Sequence, residues 1–443
     1  MAGLASGAGT GAPSRAVTWG DAAASPKSHA RSQTPTAPLY PPPRAGGHLG
    51  DIDRQGRGLG VYVHVPFCLR RCGYCDFNTY TAADLRVGFV DLAVAEMRLV
   101  AGLLPDGDGR GAVASSPAGG GAAGGVGPAG TVFFGGGTPT LLRLENLARL
   151  LDEVRVVWGL AAGAEVTCEA NPDSVDQPYI EGLAKAGFTR LSVGMQSADP
   201  AVLATLERSH SPERVGQVVA WCRAAGLEVS VDLIYGTPGE SMASWQGSLQ
   251  AALDLGVDHI SCYALTVEPS TAMGRRLAAG QLPPIDQDDQ AAKYELADQL
   301  LSQRGLEWYE ISNWARPGHE CRHNLGYWTG GNWWGIGPGA HGAIGSRRYW
   351  NLRHPSDHAA ALAAGRRPVE DTEVVAGQAA RLERIMLGLR LSQGLPQAAV
   401  DPKATDGIGQ LRADGLVTLP GDRIVLTLKG RLLADTVTRA LAP

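Results

Sequence analysis

Cys68, Cys72 and Cys75 lie within eight residues, spaced C-x3-C-x2-C, inside the string VYVHVPFCLRRCGYCDFNTYT. Three thiolates can hold three corners of a cubic [4Fe–4S] cluster and leave the fourth iron without a protein ligand. An iron with an open position can bind and activate a small molecule, so the spacing points to an iron–sulfur protein. Zinc is served less well, because His64 and Asp76, the nearest additional ligands, give no familiar zinc spacing. A disulfide would leave one thiol over. The other four cysteines (Cys168, Cys222, Cys262 and Cys321) stand singly and read as buried small hydrophobes.

The thiols need a scaffold, and the sequence alternates in a way that supplies one. Short β-rich runs at 61–65, 131–136, 165–170, 191–196, 229–236 and 259–266 are separated by helix-like stretches, several ending in Gly. Six such βα units predict an α/β fold with a parallel sheet. The cysteines, Gly135–Thr138, Glu169, Gln196 and Asp232 all fall at C-terminal ends of successive strands, which favours a barrel or partial barrel with one shared mouth.

Residues 1–56, rich in Ala, Gly, Ser and Pro, read as a disordered tail, and 106–130 as a low-complexity insertion in a core spanning 57–285. An aromatic linker region is expected over 286–375. A winged-helix-like unit is expected over 376–443, with a hairpin turn at Pro420–Asp422. That unit is not strongly basic, and the chain's formal net charge is −5, so nucleic acid is not an expected partner. No apolar run is long enough to span a membrane and no secretory signal is apparent, so a cytoplasmic location is expected. The aromatic segment leaves peripheral membrane contact open.

The cysteine string and its preceding strand resemble the radical S-adenosylmethionine (SAM) superfamily. YVHVPFC, FFGGGTPT, CEANPD, SVGMQS, ERSH and VDLIYGTPGE together resemble the oxygen-independent coproporphyrinogen III oxidase family, most closely its haem chaperone (HemW-like) branch. The resemblance implies a partial (β/α)6 radical-SAM barrel followed by a smaller α+β C-terminal region with a winged-helix-like end. It implies that Cys68, Cys72 and Cys75 hold a [4Fe–4S] cluster whose open iron chelates SAM. It also places Tyr62, Tyr74, Gly136, Gly137, Thr138, Glu169, Gln196, Arg208 and Asp232 in contact with SAM; in the oxidase branch Gln196, Arg208 and Asp232 belong to a second SAM site.

Two features separate the branches. The decarboxylating oxidases resemble C-x3-C-x2-C-x-C, whereas Phe77 ends the motif here. His323–Trp328, HNLGYW, resembles the H-N-x-x-Y-W signature of the haem chaperone branch. An imidazole is a good axial ligand for haem iron, so His323 is the expected haem residue. Tyr327, Trp328, Trp333 and Trp334 offer apolar faces beside it, His341 is a competing ligand, and His64 is expected to support the cluster loop. The function implied is a haem chaperone that binds cluster, SAM and haem and delivers haem to respiratory haem proteins, with a haem donor and an electron donor as further partners. The alternative is oxidative decarboxylation of coproporphyrinogen III. A third reading, a winged-helix redox regulator, would need a basic recognition face.

Overall fold

A computed structural model of the chain describes residues 58–102 and 127–442. The expected disordered tail, and the low-complexity insertion up to residue 126, lie outside the described residues. Six parallel strands form the centre: β1 (Leu59–Val65), β2 (Ala129–Gly136), β3 (Leu160–Ala170), β4 (Arg190–Gln196), β5 (Glu228–Tyr235) and β6 (His259–Ala264). They are ordered as they occur in the chain, each hydrogen-bonded to the next.

Every residue of β1 is buried, as a strand covered on both faces requires. Its side chains alternate. Val61, Val63 and Val65 join the large core beneath the surrounding helices. Tyr62 faces inward with Phe133, Tyr309 and Ala315. The intervening helices start on side-chain caps, with Asp176 accepting from the Tyr179 N–H and Ser241 from the Ser244 N–H. The helix Gln177–Ala186 stops at Gly187, whose φ of 98° a side chain would resist.

The segment expected as an aromatic linker is instead part of the sheet. β7 (Glu307–Glu310) and β8 (Asn313–Ala315) add antiparallel strands beside β6. β9 (Trp333–Ile336) pairs parallel to β1, and β10 (His341–Ile344), β11 (Arg347–Asn351) and β12 (Val369–Val374) continue outward. The result is one sheet of 12 strands. The strands are short, and glycines interrupt the apolar pattern, so periodicity alone reads as a loop. The inward cluster of Tyr62, Phe133, Tyr309 and Ala315 brings β1 and β2 against β7 and β8, which curls the sheet into a partial barrel.

The helix Arg322–Trp328 closes the N-terminal end of this curl. Its first two amides, those of Arg322 and His323, donate to the Glu165 carboxylate at 3.0 and 3.1 Å. Arg190, 0 % exposed, pairs with the same carboxylate. Burial works against that charge, but Arg190, Arg322 and the two amides hold the Glu165 carboxyl below its usual range.

C-terminal to the sheet, helix Gly377–Leu389, β13 (Leu395–Pro396), helix Thr405–Ala413, a hairpin of β14 (Val417–Thr418) and β15 (Arg423–Leu426), and two closing helices surround their own core. Among the described residues no helix is long and apolar enough to cross a membrane.

Candidate functional site

The loop from Pro66 to Tyr80 is hung from the top of β1 by its two ends. The Tyr80 N–H donates to the Pro66 carbonyl at 2.7 Å and the Cys68 N–H to the Tyr80 carbonyl at 3.0 Å. Within the loop, the Cys75 N–H donates to the Cys72 carbonyl, and Arg71 donates to the carbonyls of Cys75 and Phe77. All three thiols are free and partly buried. Burial raises the thiol pKa of Cys68, and that of Cys75 to about 11. A bound iron reverses that preference, since the ligand is the thiolate.

The glycine run after β2 fixes the loop from below. The Gly137 and Thr138 amides donate to the carbonyls of Val65 and Phe67 at 2.9 and 2.8 Å. A Cβ on Gly137 would lie 2.4 Å from the Phe67 carbonyl oxygen, so only glycine permits this approach. The Thr138 hydroxyl lies 3.9 Å from the Cys68 sulfur. Gly136, at φ 116°, donates its amide to Glu169 at 2.9 Å. The amides of all three residues are thus used within the protein. Gly137 and Thr138 act first as a clamp on the segment leading into Cys68.

His64 does what was expected of it. Its Nε2 bonds the Asn78 carbonyl in the cluster loop at 3.1 Å, and its Nδ1 bonds the Tyr62 hydroxyl at 3.1 Å. Burial lowers its pKa to about 4, so it is neutral. Tyr62 is 1 % exposed and lies in the barrel interior.

On the opposite wall, Gln196 ends β4 at φ 63°, a left-handed conformation that costs energy for a residue with a side chain. Arg208 reaches back to the site, donating to the Gly194 carbonyl at 3.2 Å and approaching the Cys72 sulfur at 4.0 Å. Its Nε is buried without a hydrogen-bond partner. An unsatisfied buried donor is costly unless something binds it, and it belongs to the guanidinium whose Nη1 approaches the Cys72 sulfur. Tyr74, raised in pKa by burial, packs against Val202, Leu206, Ile234 and Met273 beside Arg208. Asp232, level with Gly194 in the ladder, accepts from the Ser192 hydroxyl at 3.0 Å. The expected SAM residues therefore line the C-terminal mouth and lumen of one barrel.

His323 lies inside the barrel. It is 2 % exposed. Its Nδ1 bonds the Thr131 hydroxyl at 2.8 Å and its Nε2 the Tyr327 hydroxyl at 2.8 Å. It stacks on Phe133 with centroids 5.3 Å apart. Both nitrogens are bonded within the protein because the helix carrying the motif turns inward to floor the barrel. His341 stacks against Trp350 on the flanking strands.

A structural contribution that the motifs did not signal comes from Glu96 and Asn78. Buried Glu96 accepts from the Gly337 amide and from His358. Asn78 donates to the Pro338 and Arg353 carbonyls. Asn78 thus braces the cluster loop, and Glu96 the helix Phe89–Val100, against the segments 337–338 and 351–358.

Comparison with known proteins agrees with this geometry. Residues 62–252 match the Radical SAM superfamily model, and residues 377–433 match the HemN C-terminal domain. The chain is 49% identical over 391 residues to heme chaperone HemW of Mycobacterium tuberculosis, covering 87% of this chain and 95% of that protein. The chain belongs to the HemW branch of the radical SAM superfamily. HemW of Bacillus subtilis is 32% identical over 85% of this chain and 97% of its own length. The fold matches that of coproporphyrinogen III oxidase (HemN) of Escherichia coli with a TM-score of 0.72 at 21% identity, over 91% of this chain and 96% of that one.

Radical SAM membership implies a [4Fe–4S] cluster and SAM, and the residues fit both. The thiols are free, the glycine clamp presents them, and Arg208 holds an unmet donor beside them. Among the described residues no three His, Cys, Asp or Glu side chains are grouped to hold a single metal ion. A cube instead offers each thiolate its own iron.

Proposed function

We propose that the chain is a haem chaperone on a radical SAM scaffold, which holds a [4Fe–4S] cluster and SAM, binds haem, and passes it to respiratory haem proteins in the cytoplasm. The observation that carries this reading is the 49% identity over 95% of a protein named heme chaperone HemW. Phe77 in place of a further cysteine is consistent with it.

Cys68, Cys72 and Cys75 would ligate the cluster. When bound, the cluster supplies a reducible iron with one open position, and SAM can chelate that position. The chain's own residues do the rest. Glu169 carries two acceptor oxygens suited to ribose hydroxyls, one of them steadied by the Gly136 amide. Arg208 offers its buried Nε to an anionic group. The Tyr62–His64–Asn78 chain keeps the loop in register with the lumen. A haem donor, a haem acceptor and an electron donor complete the proposed partners.

The test is an anaerobic haem titration of the cluster-reconstituted protein, followed by transfer to an apo b-type cytochrome read by its Soret band. Saturable binding and transfer are expected. Absence of saturable binding, with carbon dioxide released from coproporphyrinogen III under reducing conditions, would overturn the reading in favour of decarboxylation.

A further inference from the structure

Arg208 is a cation without a carboxylate. It is partly buried with its Nε enclosed. Its hydrogen-bond partners among the described residues are the Gly194 carbonyl at 3.2 Å and the Cys72 sulfur at 4.0 Å. The adjacent Glu207 turns away to pair with Arg70 at 3.3 Å. A guanidinium drawn out of water is stable only beside an anion. The backbone aims it there at a cost. Glu207 sits at φ 55°, a left-handed conformation that a residue with a side chain adopts under constraint. The Arg208 amide then closes back onto the Leu203 carbonyl at 2.9 Å.

The other two sulfurs also have donors of their own. The Thr138 hydroxyl lies 3.9 Å from the Cys68 sulfur. Buried Thr79, whose hydroxyl otherwise reaches the Phe77 carbonyl at 3.5 Å, is a second donor to Cys68. The Phe77 amide serves Cys75. A neutral thiol is a weak acceptor. Iron ligation turns each sulfur into a thiolate, and an ionised acceptor makes the stronger hydrogen bond.

We infer that Arg208, with the hydroxyls of Thr138 and Thr79, is the counter-charge of the iron–sulfur centre and sets its reduction potential. The inference rests on the cluster reading above and is independent of haem. Reduction takes one electron from the electron-donor partner and adds one negative charge, with no covalent bond made or broken. A fixed positive charge and donated hydrogen bonds at the sulfurs stabilise the reduced form more than the oxidised one, which raises the potential. Arg208 carries the largest share, because its charge is whole and its surroundings screen it poorly. The role is compatible with a SAM contact, since Nη1 faces the sulfur and Nε is left for a ligand.

The experiment is an anaerobic potentiometric titration of cluster-reconstituted full-length protein, without SAM, using dithionite and redox mediators. The reduced cluster is read by electron paramagnetic resonance, and iron and sulfide are assayed in every sample. Arg208→Gln should keep its iron and move to lower potential. Its reduced-to-oxidised ratio at a fixed potential should fall at least about tenfold, equivalent to about 59 mV for one electron. Arg208→Lys keeps the charge and should recover most of that loss. Thr138→Val and Thr79→Val should each lower the ratio several-fold, and Thr79 lies outside the expected SAM residues. A wild-type potential in Arg208→Gln would overturn the assignment. So would a shift that appears only when SAM is added, which would make Arg208 a SAM ligand alone. Should Arg208→Gln lose its iron, unshifted potentials in both valine variants would overturn it. Wild type that takes up no iron and sulfide would overturn the cluster reading as well.

Discussion

Gly137 illustrates how one residue can govern the path of a cofactor loop through backbone contacts. Its amide bonds the Val65 carbonyl, and the space for a Cβ is occupied by the Phe67 carbonyl. Gly137→Ala must push that backbone, and with it Cys68, out of place. We expect it to cost about 2 kcal/mol or more and to lower bound iron and sulfide after anaerobic reconstitution, as assayed beside a urea unfolding curve. Cys68→Ala, Cys72→Ala and Cys75→Ala should each lose the cluster but leave the unfolding midpoint nearly unchanged, since none of the three is a core residue. A full complement of iron in any of them would refute the ligand assignment. The cysteine spacing and GGGTP were readable in the sequence because cofactor chemistry fixes both residue type and local order. The brace from Glu96 to Gly337 and His358 was not, because its members are distant in sequence and have no spacing to betray them.

The helix Arg322–Trp328 shows how far a motif can be read without its surroundings. HNLGYW was readable as a motif, yet its direction was not, since a seven-residue helix carries too little periodicity to show which face is buried. In the structure His323 supports Phe133 and Tyr62 from beneath. His323→Ala would leave the Thr131 and Tyr327 hydroxyls unpaired around a void, for a loss of about 2–4 kcal/mol, readable by denaturant unfolding. Acidification should act through the same ring. Burial lowers its pKa to about 4, against about 6.5 in the unfolded chain. The unfolded state therefore takes up the proton first. Stability from this group is intact above about pH 6.5 and is lost as pH falls from there toward 4. Unfolding midpoints of wild type should decline across that window more steeply than those of His323→Gln. Equal slopes would show that the ring does not titrate with folding.

For the whole molecule, the six βα units were legible from alternation, and the polar or glycine residues at the ends of successive strands favoured a barrel over an open sheet. The flanking strands β7–β12 were not, because strands of three to six residues carry too little pattern to stand out from loops. The C-terminal unit has its own core but is fastened to the barrel by Arg431. That guanidinium forks onto Asp298 at 2.7 and 2.8 Å and lies 4.4 Å from the Trp308 ring. Charge-assisted forks of this kind are the strong ones, and this one is largely buried. Arg431→Ala should split a single calorimetric unfolding transition into two, the smaller belonging to residues 377–442. One unaltered transition would show that the fastening lies elsewhere.

The thiol loop is suspended by main-chain bonds at Pro66, Cys68 and Tyr80 and clamped by Gly137 and Thr138, none of which involves a sulfur. Oxygen that strips out the iron would thus leave an empty socket in a folded protein, not an unravelled chain. Repair then needs thiols returned to the reduced state, iron, sulfide and the electron transfers of cluster assembly, but no refolding, and a cell emerging from an oxidative episode could recharge its existing stock without new synthesis.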